Sequence, residues 1–178
     1  MKKYFIILIL FLNFNLFSNE TLPLVIEDQE YAYNALSKTI TDKLPKRIEI
    51  LVFDIFLLNG SEEIAKKIND NFKIIMKNKQ YIYDYSLIFF NDLKKEADVK
   101  KFDFIKNYNE QELLSYAEYI NKDAVFIASV TIVSERKKIW DKNKMRFLDK
   151  KIALIQGNIF GVETKDSLLR FSKYFYFD

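Results

Sequence analysis

A chain of 178 residues, 49% hydrophobic and 30% charged, is long and apolar enough to bury one core, which excludes wholesale disorder. It has no cysteine and no histidine, so disulfides, thiolate nucleophiles, Cys- or His-ligated metals and Ser-His-Asp triads are excluded. Its 28 Lys and Arg nearly balance 25 Asp and Glu, and its three glycines, Gly60, Gly157 and Gly161, form no phosphate-binding loop.

Met1-Lys2-Lys3 opens the chain, and a fourteen-residue run from Tyr4 to Phe17 follows, apolar except at Asn13 and Asn15. A spanning helix needs roughly 20 apolar residues. Residues 1–18 therefore read as a secretory signal cut near Ser18, although Leu16 stands where a small residue is usual; an uncleaved membrane anchor is the alternative. Lipidation would need a cysteine and is excluded. Loss of Lys2 and Lys3 leaves 26 Lys and Arg against 25 Asp and Glu, without the basic footprint of a nucleic-acid binder.

Residues 19–28 read as a tether. From Gln29, Tyr33, Leu36, Ile40 and Leu44 recur at helical spacing until Pro45. Arg47 to Leu58 is β-branched and aromatic, a strand apolar enough to be buried on both faces. Asn59-Gly60-Ser61 turns the chain, and Ser61 caps a helix with Glu62 and Glu63 in its first turn and Ile64, Ile68, Phe72 and Ile75 on one stripe, ending near Asn78. Gln80 to Ser86 reads as a short strand with Tyr81, Tyr83 and Tyr85 on one face. Leu87 to Ala97 reads as a helix and Asp98 to Tyr108 as a charged loop.

Asn109-Glu110-Gln111-Glu112 resembles a capping box, before a helix carrying Leu113, Leu114, Ala117 and Ile120. Asp123 to Val133 is a second apolar strand that runs on to Lys138. A turn near Lys142 to Lys144 leads to strands at Met145 to Phe160 and Leu168 to Phe177. The expectation is a single α/β domain over residues 29–178, three-layered, with a mixed sheet of about five strands flanked by helices, after an N-terminal signal helix.

Five pieces in one order carry a family resemblance: the helix Tyr31 to Leu44; the strand Ile48 to Phe56 with Phe53-Asp54-Ile55; the helix start Glu62 to Ile68; the helix-to-strand run Ser115 to Val130; and the strand end Asn158 to Asp166. In these the chain resembles the FlgO, CsgG and penicillin-binding-protein-activator (LpoB-like) group of bacterial envelope proteins, with a domain like the N-terminal domain of TolB. Asn121-Lys122 replaces the group's glycine region, Gly161 stands where Asp is usual and Lys165 where Gly is usual. The resemblance implies an exported, non-enzymatic accessory protein of the periplasm or envelope, acting as an interaction module in flagellar or cell-envelope assembly; the group's lipid anchoring does not carry over, because the chain has no cysteine. It implies envelope or flagellar proteins, or a second copy, as partners, no nucleic acid, no cofactor and no metal. Membrane contact would come only through an uncleaved N-terminal segment, which is the tethered alternative.

Candidate partner contacts are the tyrosine row Tyr81, Tyr83 and Tyr85, Trp140 among the lysines of its hairpin, and Phe175 on the last strand. Core packing is the competing reading for the tyrosines and Phe175, and a solvated tip for the hairpin. Asp54, a carboxylate in an apolar strand, is the residue on which a carboxylate-dependent enzyme would rest. The competing reading has it bonded to the Asn59-Gly60-Ser61 turn, and no second acid lies at a motif spacing to it. Asp123 reads as a turn residue.

Overall fold

Asp28 accepts a hydrogen bond from the Tyr31 N–H at 2.8 Å and so starts the first helix, α1 (Gln29–Lys43). Pro45 forces its predecessor out of the helical region, and Leu44 is extended at φ −104° and ψ 158°. This computed structural model describes residues 26–93, 110–141 and 145–177. The expected signal segment, the first part of the expected tether, residues 94–109 and residues 142–144, where a turn is expected, lie outside the described residues.

The other elements are β1 (Glu27–Asp28), β2 (Glu49–Val52), β3 (Phe56–Leu57), α2 (Glu62–Tyr83), β4 (Ser86–Phe89), α3 (Phe90–Leu93), α4 (Glu110–Tyr119), β5 (Ala124–Asp141), β6 (Arg146–Gly161) and β7 (Ser167–Phe177). The seven strands form one sheet in the order β1-β7-β6-β5-β2-β4, with β3 beside β5. Pairings among β2, β3, β4 and β5 are parallel, as is β1 with β7; β5, β6 and β7 form an antiparallel meander. The class is α/β with a mixed sheet, richer by two strands than expected because the first apolar run splits and Glu27 and Asp28 pair with Phe175 and Tyr176.

The unbroken apolar character of Ile50-Leu51-Val52 follows from cover on both faces. Ile50 and Val52 join a core under α1 and α2 with Tyr33, Leu36, Ile68, Phe72, Phe126, Ile155 and Phe175. Leu51 points the other way, to Phe53, Phe90, Leu113, Tyr116 and Val125 beneath α4. These are the three layers.

The expected strand at Gln80 to Ser86 is corrected: residues 80–83 are the last turn of α2. Alternating tyrosines suggested a strand, yet Tyr83 lies seven residues beyond buried Met76, two helical turns along the same stripe. The helix ends where Asp84 turns left-handed at φ 52°. The strand follows, and Leu87 to Phe89, expected as helix, is part of β4; Phe90–Leu93 is helical, and the rest of the expected helix, to Ala97, lies outside the described residues. The expected single strand from Arg47 to Leu58 is likewise interrupted between β2 and β3.

Candidate interaction surfaces

Asp54 follows the carboxyl end of β2 and is exposed, not sunk in the apolar strand. Both its oxygens accept from the Asn91 side-chain amide, at 2.6 and 2.7 Å. The turn residue Asn59 reaches elsewhere: its side chain accepts from the Ile132 N–H at 2.6 Å and donates to the Ile132 carbonyl at 2.9 Å. Asn69 on α2 does the same for Ile55, at 2.6 and 3.0 Å, and so holds the break between β2 and β3. Neither clamp is readable from sequence, where a lone asparagine signals a turn or nothing.

Asp54, Asn69, Asp70, Lys73 and Asn91 line an open cleft of about 450 Å³ at the carboxyl ends of β2 and β4. Open α/β sheets commonly bind ligands at that end. At its rim Lys73 and Lys77 both donate to Asp92, holding that carboxyl below its ordinary range. Among the described residues no three acids are grouped as a metal would need. Asp54 is thus an exposed carboxylate whose two oxygens are held by a neutral amide.

Asp123 is the expected turn residue and more: its carboxylate accepts from the Glu49 N–H at 2.8 Å, while Lys122 pairs with Glu49 at 2.7 Å. The two contacts fix the register of β2 against β5.

The five sequence-chosen contacts separate. Phe175 has no exposed surface and packs against Tyr33 with centroids 5.9 Å apart. Tyr85 is buried; its hydroxyl donates to Ser37 Oγ at 2.8 Å, and that hydroxyl donates to Met76 Sδ at 3.3 Å. Burial, partly offset by the Ser37 contact, pushes the Tyr85 phenol up to about 12. Tyr83 lies against the core. Tyr81 is 85% exposed, beside Ile82 at 68% and about two turns from Ile74 at 60%, an apolar stripe on the outer face of α2 broken by exposed Asn78. Trp140 is half exposed near the far end of β5, with its ring edge-on to Phe147. The tyrosine row therefore does not exist as a surface, whereas Tyr81 and Trp140 stand on two separate ones.

No family model matches the sequence, and no curated protein does. The solved structures do: the C-terminal domain of LpoB from Salmonella enterica aligns with TM-score 0.55 and 12% identity over 80% of this chain and 93% of that one. The fold is that of the LpoB C-terminal domain. The Escherichia coli LpoB C-terminal domain gives TM-score 0.56 and 11% identity over 82% of this chain and 96% of that one. The solution structure of E. coli LpoB gives 0.51 and 12% over 89% and 75%. Identity this low establishes the LpoB fold alone, and sites must be argued from this chain's own residues.

Proposed function

We propose that this chain is an exported, non-enzymatic accessory protein of the cell envelope that binds a protein of peptidoglycan synthesis. The observation that carries the reading is the LpoB fold, spread over four fifths of a chain whose sequence also resembles the activator group. Residue types agree with it, since a chain without histidine or cysteine lacks imidazole bases, thiolate nucleophiles and His- or Cys-ligated metals. Residues 1–18 would direct export, leaving the domain free in the periplasm or tethered if the segment is uncleaved. The partner docks on the outer stripe of α2, where Ile74, Tyr81 and Ile82 offer apolar surface, aromatic anchors being the residues that carry most binding energy.

Affinity purification of the tagged chain from crosslinked cells, with mass spectrometry, tests this reading. A peptidoglycan synthase should be recovered with the wild type and lost with Tyr81→Ala/Ile82→Ala at unchanged folding. Recovery of flagellar components would move the module to that assembly, and recovery of the chain alone would overturn the reading.

A further inference from the structure

β5 and β6 outrun the sheet. On its other side β6 pairs with β7 only as far as Lys151, opposite Phe177, whereas β5 and β6 continue through five more register pairs, from Lys137↔Lys150 to Asp141↔Arg146. Among the described residues this stretch is a two-stranded arm, roughly 17 Å long at the usual rise per residue. Its root carries two register shifts, between Ile132 and Ser134 and between Ser134 and Lys137. Each puts an extra residue on β5, and such bulges bend and twist a hairpin away from its sheet.

The arm has two unlike faces. Alternation puts Trp140 and Phe147, directly opposed, on one face with the opposed pair Lys138 and Asp149. All four are exposed, Trp140 at 45% and Phe147 at 63%, with their rings 5.1 Å apart. Met145, just before the return strand, is 72% exposed. The other face is half covered and includes Ile139 and Leu148. The charge is as uneven as the exposure. The described residues of the arm, 136–141 and 145–151, hold six Lys and Arg against two Asp, in a chain whose formal net charge is only +3. Exposed Arg136, Lys138 and Arg146 are among those cations.

We infer that the β5–β6 arm docks on an anionic phospholipid surface, with Trp140, Phe147 and Met145 entering the headgroup and acyl boundary and the flanking cations meeting the lipid phosphates. Two observations together select this occupant. A cationic arm calls for an anionic counterpart, and its exposed apolar and aromatic side chains gain only where an apolar phase can bury them. Indole rings with flanking Lys and Arg suit the membrane interface, where a ring sits at headgroup level and long cationic side chains reach the polar layer. Five register pairs are about half of what a spanning strand needs, so the arm rests in the interface. Insertion at the interface is independent of which protein the α2 stripe binds, and would orient that stripe relative to the membrane.

Trp140 is the chain's one tryptophan, so its intrinsic emission reports the arm even where the N-terminal apolar segment already holds the protein on a vesicle. The full chain would be titrated with vesicles of phosphatidylcholine alone and with vesicles that also contain phosphatidylglycerol. The expected result is a blue shift and protection from acrylamide with phosphatidylglycerol vesicles, absent with phosphatidylcholine and reversed by high salt. Arg136→Gln/Lys138→Gln should weaken the titration roughly thirtyfold, at about fivefold per cation lost near an anionic surface. An unchanged Trp140 emission on phosphatidylglycerol vesicles that carry the protein down in sedimentation would overturn the inference. So would an equal shift with phosphatidylcholine, or with soluble polyglutamate, which would make the arm a site for acidic polymers.

Discussion

Gly157 on β6 lies flat beneath the ring of Phe126 on β5: a Cβ at Gly157 would stand 2.7 Å from the ring's Cε2 and 3.1 Å from the Cβ of Ala128. Phe126 in turn stacks on Phe72 of α2, centroids 5.6 Å apart and planes 16° from parallel. The missing side chain therefore sets how closely α2 approaches the sheet. Gly157→Ala should push the Phe126 ring off Phe72 and destabilise the domain by about 1–3 kcal/mol, the usual range for an overpacked core. Urea unfolding checks this, as a lowered midpoint at unchanged slope. A midpoint within error of wild type would mean that the ring simply slides aside.

Asn69 supplies by side chain what a continuous strand would supply by backbone. It serves both the N–H and the carbonyl of Ile55, and also donates to the Ala65 carbonyl at 3.0 Å. Asn69→Ala strands those groups and should cost about 2 kcal/mol or more, since partly buried polar groups lose their partners. Asn69→Asp retains the acceptor for the Ile55 N–H and should cost less. The order of the two variants in chemical denaturation separates a hydrogen-bonding role from a space-filling one.

Layers and long strands were legible in the sequence because periodicity reports burial directly. The stripe Tyr33, Leu36 and Ile40 reads as α1, and the apolar run Asp123 to Val133 reads as a strand, the first part of β5. Two periods collided at Tyr81 to Tyr85, where every second residue is tyrosine and every third or fourth position from Ile68 faces the core. The helix won because Met76 and Tyr83 extend its buried stripe and Asp84 accepts the left-handed turn. The clamps of Asn59 and Asn69 were illegible for another reason. Each joins residues 73 and 14 positions apart respectively, and nothing local marks such a pair. Trp140 was legible as an aromatic among the lysines of a hairpin, but its exposure depends on how far β5 and β6 outrun β7.

Buried tyrosines give the fold an alkaline limit. Tyr85 ionises in the folded chain only near 12, against an ordinary value of 10.0, and burial also drives Tyr33 upward. A raised folded-state pKa means stability that is intact below pH 10 and falls as pH rises toward 12, because the unfolded chain releases those protons first. Unfolding midpoints measured across that window should fall steeply. Tyr85→Phe should flatten the fall, and at neutral pH should cost about 1 kcal/mol for the lost contact with Ser37. An equally steep fall in the variant would assign the alkaline limit to other groups.

The cleft holding Asp54 is where the carboxylate-enzyme reading could return, because Asp70 lines it too. The two acids differ from a working pair in their surroundings: both are exposed, and the oxygens of Asp54 are taken up by the Asn91 amide. Substituting either exposed acid should therefore change stability by no more than about 0.5 kcal/mol. Asp54→Asn and Asp70→Asn, made separately, should also leave partner capture from crosslinked cells unchanged. Tyr81→Ala/Ile82→Ala, on a different surface, should abolish it. Should the acid variants remain folded and still bind their partner, yet fail to restore envelope integrity to cells lacking the protein, the cleft would carry a reaction and the accessory-module reading would be incomplete. Full complementation by both would leave the outer face of α2 as the working surface.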